Sequence, residues 1–178
     1  MLTSDDAVLV VVDVQGKLAR LMHEAPALHD ALSQLVRGAR VLDIPVIATE
    51  QNPVGLGRTI DEIASLLPNP AIPKMAFSCC GEPAFVETLT ATGRAQVLLA
   101  GIETHVCVYQ TARDLLAGGR EVHVVADAVS SRTAANREIG LAKMRVAGAE
   151  MTSVETALFE MLTVAEGPQF KQILEIVK

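Results

Sequence analysis

Ala7-Val8-Leu9-Val10-Val11-Val12-Asp13 is an unbroken run of apolar, mostly β-branched residues that stops on a carboxylate. A strand with one solvated face would alternate apolar and polar residues. A solid apolar run instead marks a strand buried on both faces, the situation of a central strand in a parallel sheet. The segment that follows fits this. From Ala27 to Leu42, the residues Leu28, Ala31, Leu32, Leu35, Val36, Ala39 and Leu42 recur at helical spacing, and Pro45 then opens a second short apolar run, Val46-Ile47-Ala48. Strand, helix, strand is a βαβ unit.

The same rhythm continues along the chain. A helix is predicted over Asp61 to Leu67, an extended piece over Ala71 to Met75, a helix over Pro83 to Thr92 and a strand over Gln96 to Ala100. A helix from about His105 to Ala117 stops at Gly118-Gly119, and Glu121 to Ala126 is the next strand. Ala134 to Ala147 is an amphipathic helix stopped by Gly148, and Ala149 to Thr152 a last strand. Two helices, Val154 to Thr163 and Pro168 to Val177, close the chain. The fold class is α/β, with a parallel sheet covered by helices on both faces. No linker, repeat or low-complexity segment interrupts residues 1–178, so a single domain is expected. The least regular stretch, Glu50 to Arg58, follows a strand end, where such sheets bind ligands.

Composition excludes several classes of function. The 15 Lys+Arg against 21 Asp+Glu give a net charge of −6, and there are one Tyr, four Phe and no Trp. That leaves neither a basic phosphate-tracking surface nor aromatic platforms for bases, so no nucleic-acid partner is expected. The apolar runs are far shorter than a membrane span, and the acidic start, Met1 to Asp6, does not resemble a signal peptide, so no membrane partner is expected. Cys79, Cys80 and Cys107 are odd in number, and two of them are neighbours that could close only a strained ring, which points to a reduced, cytoplasmic protein.

Nucleotide signatures fail. Asp13-Val14-Gln15-Gly16 is not a G-x-G-x-x-G turn, no G-x-x-x-x-G-K-[ST] occurs, and Gly55-Leu56-Gly57 reads as turn chemistry. His23, His29, His105 and His123 lack metal-ligand spacing, as do the cysteines, so no metal is expected. Polar residues at strand ends remain. Asp13 ends the most apolar strand and is either partly desolvated in a cleft or bonded to loop amides. Lys74, between Pro73 and Met75, points into a cleft or into water. Cys107 lies in Gly101-Ile102-Glu103-Thr104-His105-Val106-Cys107, a strand-to-helix turn. A helix N-terminus there favours a nucleophilic thiolate, against the alternative of a small buried apolar residue. His105 faces elsewhere on a helix and is a poor candidate for its base.

Taken together, Asp13-Val14-Gln15, Lys74 with Phe77-Ser78, and Gly101 to Val108 resemble, in order and spacing, the three catalytic motifs of the isochorismatase-like cysteine hydrolase superfamily. The resemblance spans nearly the whole chain. It implies a Rossmann-like three-layer α/β/α sandwich with a six-stranded parallel sheet, and an Asp-Lys-Cys triad. Cys107 is then the nucleophile, Asp13 the base, and Lys74 the cation that keeps Asp13 charged and favours the thiolate. The family's cis peptide falls at Ile102-Glu103 and aims the N–H groups of Glu103 and Cys107 at a developing oxyanion. The implied reaction is hydrolysis of a C–N bond in a small amide or carbamoyl substrate through a thioester, with no cofactor.

Nicotinamidases in this family have an Asp-x-His metal cluster where this chain reads Thr49-Glu50-Gln51-Asn52-Pro53. This stretch and Glu103-Thr104-His105 are instead similar to the subgroup called isochorismatase domain-containing proteins. Gln15, Gln51, Phe77 and Ile102 are expected to line the substrate site, and Leu18 stands where many relatives have an aromatic residue. Asp127 to Arg132 is read as a loop that caps the next helix. Homo-oligomers, dimers or larger, are implied. Two other classes stay open: a thiol redox protein pairing Cys107 with Cys79 or Cys80, and an oligomeric interaction protein whose triad is idle.

Overall fold

Every side chain of Ala7–Val12 is buried, and the run divides between the two faces of a sheet. Ala7, Leu9 and Val11 join one apolar cluster, and Val8, Val10 and Val12 the other. This two-sided burial is what the solid apolar run encodes. The computed structural model describes all 178 residues. Its strands β1 (Ala7–Val12), β2 (Val46–Gln51), β3 (Ile72–Lys74), β4 (Gln96–Ile102), β5 (Glu121–Ser130) and β6 (Glu150–Thr152) form one six-stranded, all-parallel sheet in the order β3-β2-β1-β4-β5-β6.

Helices cover both faces. On the first lie α1 (Gly16–Arg20), α2 (Ala25–Val41), α4 (Asp61–Ala64), α8 (Val154–Leu162) and α9 (Gly167–Val177), whose buried residues include Leu32, Leu35, Ile63, Leu158 and Ile173. On the second lie α5 (Pro83–Ala91), α6 (Tyr109–Ala117) and α7 (Ala134–Val146), through Phe85, Leu89, Ala112, Leu115 and Met144. A short helix α3 (Pro53–Leu56) follows β2.

The strand order reverses between β1 and β4. The chain steps outward from β1 to β2 and β3, then returns to the other side of β1 for β4 and moves outward again to β5 and β6. Helical crossovers therefore leave a crevice at the carboxyl ends of β1 and β4, where doubly wound sheets bind ligands. Gly101 makes that crevice tight. It pairs with Val12, has φ +112°, and a β-carbon there would fall 2.5 Å from the Val12 nitrogen, so only glycine fits.

Several boundaries differ from the sequence expectation. β2 runs on to Gln51, because Thr49, Glu50 and Gln51 pair with Ile72, Pro73 and Lys74 despite being polar. β5 runs on to Ser130: after an irregularity near Ala100 it re-pairs Val129 with Gly101 and Ser130 with Ile102, so Asp127 to Ser130 is strand and not loop. Asp127 does cap a helix, but it is α8, through Val154 N at 3.0 Å, while Thr133 caps α7. The expected helix from His105 begins as a π-helical turn, Thr104–Val108, before α6.

Candidate active site

Asp13 lies just past β1 with φ +53° and is 2% exposed. Its two oxygens have separate partners. Thr49 Oγ1 donates to Oδ1 at 2.8 Å, and Lys74 Nζ donates to Oδ2 at 2.7 Å. Register explains the convergence: Thr49 is the β2 partner of Val12, and Lys74 the β3 partner of Gln51. The Lys74 ammonium is fully buried and also donates to Gln51 Oε1 (2.9 Å), Phe77 O (3.0 Å) and Ala76 O (3.1 Å). A buried charge needs such a shell. Lys74 thus points into the crevice and not into water.

Gln15 and Gln51 brace this arrangement. Gln15 Nε2 donates to Gln51 O (2.9 Å) and Gly57 O (2.7 Å), and Gln51 N donates back to Gln15 Oε1 (2.6 Å). The Gln51 amide spends its oxygen on Lys74 and its nitrogen on Met75 O (2.8 Å). Both glutamines line the cavity, yet their polar atoms hold the β2–β3 loops in place.

Cys107 is buried in the π-helical turn and faces Asp13. Burial, the adjacent Asp13 charge and a hydrogen bond to that carboxylate push its thiol up to about 12, with Lys74 acting only partly in the other direction. That direction is opposite to the one that a helix N-terminus and Lys74 favour. The reason is geometric: the Lys74 charge is spent on Asp13 and three further oxygens, so it offsets burial and the Asp13 charge only in part. Cys79 is a second buried thiol behind the pair, its Sγ 3.6 Å from Thr49 Oγ1, and burial pushes it up to about 11. All three cysteines are free.

The turn carrying Cys107 is held from outside. Gly140 of α7 packs so closely that a β-carbon would lie 2.7 Å from the Thr104 carbonyl. His105 Nδ1 lies 3.0 Å from Ser131 Oγ and is turned to β5, away from Cys107. Glu103 reaches the same segment, its carboxylate accepting from Arg132 N (3.1 Å) and Arg132 Nε (3.2 Å). The Ile102–Glu103 peptide is cis, and the Glu103 N–H donates to no other backbone group.

These groups surround a cavity of about 100 Å³ lined by Asp13, Cys107, Gln15, Gln51 and Glu103 and walled by Leu18, Leu56, Phe77, Ile102 and Val106. All the residues expected from the sequence therefore meet in one place except Lys74, which lies behind Asp13. Thr49, Leu56, Val106 and Gly140 were not foreseen. A threonine at the end of a buried strand was the available signal for the first, whereas the others depend on loop and helix packing. No three His, Cys, Asp or Glu side chains converge as a metal site.

Comparison with known proteins finds relatives over nearly the whole chain. A secreted isochorismatase effector of Phytophthora sojae is 42% identical over 178 residues, covering 97% of this chain and 84% of the relative. Isochorismatase domain-containing protein 2A of mouse is 38% identical, covering 98% and 84%. Among solved structures, the MAR1 ribonuclease of Caenorhabditis elegans superposes with a TM-score of 0.93 at 37% identity over 99% of this chain and 91% of that one. The YcaC product of Escherichia coli, described as an octameric hydrolase of unknown specificity, gives 0.92 at 25% identity over 98% and 88%. No helix is long and apolar enough to cross a membrane. Residues 7–156 match the isochorismatase domain, a span running from β1 into α8 that holds every residue of the cavity, and the chain belongs to the isochorismatase family.

Proposed function

We propose that the chain is a cysteine hydrolase that cleaves the C–N bond of a small amide or carbamoyl compound, with Cys107 as nucleophile, Asp13 as proton carrier and Lys74 as the charge that keeps Asp13 ionised. The observation that carries this is a buried Cys107 lining the same small cavity as Asp13, a carboxylate that Lys74 holds at 2.7 Å. Such a thiol becomes nucleophilic only as its proton leaves, and Asp13 is placed to accept it.

In the first half-reaction Sγ attacks the carbonyl carbon, the thiol proton passes to Asp13, and the carbonyl π pair moves to oxygen. The N–H groups of Glu103 and Cys107 receive that oxyanion, each donor contributing about 3 kcal/mol. Asp13 then gives its proton to the leaving nitrogen, the C–N bond breaks and ammonia or an amine departs. In the second half, water attacks the thioester as Asp13 takes its proton. The C–S bond breaks, the acid leaves, and the proton returns to sulfur.

Ribonuclease action, suggested by the names of three structural relatives, has less support here. The chain carries a net charge of −6, and a cavity of about 100 Å³ is too small for a nucleotide. Cytoplasmic residence fits the three free thiols. Homo-oligomerisation fits the exposed apolar side chains of Val54, Met75 and Phe77 and the octameric relative. The deciding experiment is ammonia release from a panel of amides and carbamoyl compounds. Wild type should turn over at least one and form a hydroxylamine-trappable thioester, and Cys107→Ala should do neither. Equal turnover by Cys107→Ala would remove the mechanism.

A further inference from the structure

The polar groups around the Cys107 cavity are almost all spoken for. Asp13 has Thr49 and Lys74, Gln15 has Gln51 and Gly57, and Gln51 has Lys74 and Met75. Glu103 is tied to Arg132. Lys74, behind Asp13, has four oxygens within 3.1 Å for its three N–H donors and no capacity left for a ligand anion. The remaining wall is aliphatic or aromatic: Leu18, Leu56, Phe77, Ile102 and Val106. The Glu103 N–H donates to no other backbone group, which leaves it available for the carbonyl oxygen of the proposed reaction.

We propose that this cavity takes the short aliphatic acyl group of an uncharged amide and selects against substrates carrying a carboxylate or an aromatic ring. The proposal rests on the hydrolase assignment above and narrows it. Size sets one limit: an apolar cavity of about 150 Å³ is known to hold benzene, and this one is about 100 Å³. A two- to four-carbon acyl group therefore fits more readily than a ring. Charge sets the other. A carboxylate entering the cavity would lose its hydration and find Asp13 and Glu103 with no unpaired cation, so its desolvation goes uncompensated.

Two readouts test this on the full-length protein. The first alkylates Cys107 with iodoacetamide or iodoacetate, near-isosteres of opposite merit here, followed by peptide mass spectrometry and normalised to glutathione. In each case the S–C bond forms, iodide leaves and the thiol proton goes to Asp13. The iodoacetamide-to-iodoacetate rate ratio at Cys107 should exceed that of glutathione by about tenfold or more. A ratio equal to that of glutathione, or no labelling of Cys107 by either reagent, overturns the proposal.

The second readout compares kcat/KM for propionamide, benzamide and succinamate. Propionamide should exceed both others by about tenfold or more, a difference of about 1.4 kcal/mol. Leu18→Ala should raise benzamide relative to propionamide, and Leu18→Arg should do the same for succinamate. Comparable turnover of all three amides overturns the size and charge selection while leaving the hydrolase assignment intact. Failure on every amide and on every carbamoyl compound of the panel overturns the assignment, and the alkylation ratio then still reports whether the cavity discriminates by charge.

Discussion

Lys74 Nζ and Asp13 Oδ2 lie 2.7 Å apart with side chains 0% and 3% exposed, from strands separated by the whole width of β2. Removing one member of such a pair strands the other in the interior. Lys74→Met is expected to lower unfolding stability by about 3–5 kcal/mol. Because the loss comes from the unpaired Asp13 charge, Lys74→Met combined with Asp13→Asn should recover part of it. Urea unfolding of the two variants checks this, and a Lys74→Met protein as stable as wild type would contradict a buried ion pair.

Asp13 raises the Cys107 thiol, while Lys74 lowers it. Asp13→Asn removes the first influence and leaves the second, so the pH midpoint for Cys107 alkylation should fall while amide turnover collapses. A nucleophile that ionises more easily and yet does not catalyse would identify proton transfer through Asp13, not thiolate population, as the function of the carboxylate. Alkylation followed from pH 6 to 11, alongside ammonia release, separates the two. If the midpoint does not fall in Asp13→Asn, the carboxylate does not hold the thiol protonated.

Cys107 and Cys79 are pushed up to about 12 and about 11 by burial. In the unfolded chain both thiols ionise near pH 8.5. Above that value the unfolded state releases protons that the folded state keeps, so stability falls as pH rises. Below pH 8.5 the contribution is complete. Between there and about pH 11 each thiol should remove about 1.4 kcal/mol per pH unit. Denaturant unfolding at pH 8 and pH 10 should show the decline, and Cys79→Ala should flatten it relative to its own value at pH 8.

Gly140 leaves no room for a β-carbon against the Thr104 carbonyl. Gly140→Ala must displace the π-helical turn that bears Cys107, at a cost of about 1–3 kcal/mol. Misplacing a nucleophile by about 1 Å can cost about 100-fold in rate. Turnover should therefore fall far more than stability. Gly118→Ala, where the nearest atoms would be 3.4 Å away, is the control for general helix effects. Equal losses in both variants would leave Gly140 no special role.

Much of this was legible along the chain, because it depends on local pattern. The solid run Ala7 to Val12 placed a two-sided strand at the centre of the sheet, and the helical spacing of Leu28, Leu32, Leu35 and Ala39 placed α2 on one face. Strand ends on a parallel sheet face one edge, so Asp13 and the turn after β4 had to lie near each other. What lay outside that reach was decided by contacts between segments far apart in sequence. Thr49 reaches Asp13 across 36 positions, and Gly140 packs on Thr104 from another layer. The surroundings of Cys107 were not legible for the same reason: a helix N-terminus is visible in sequence, but the engagement of Lys74 by Asp13, Gln51, Ala76 and Phe77 is not. Periodicity and turn chemistry determine the order of strands and helices because burial of each segment follows its own pattern. The charge state and shape of the cavity come only from tertiary structure, since electrostatic energy and steric fit depend on distances that the chain acquires on folding.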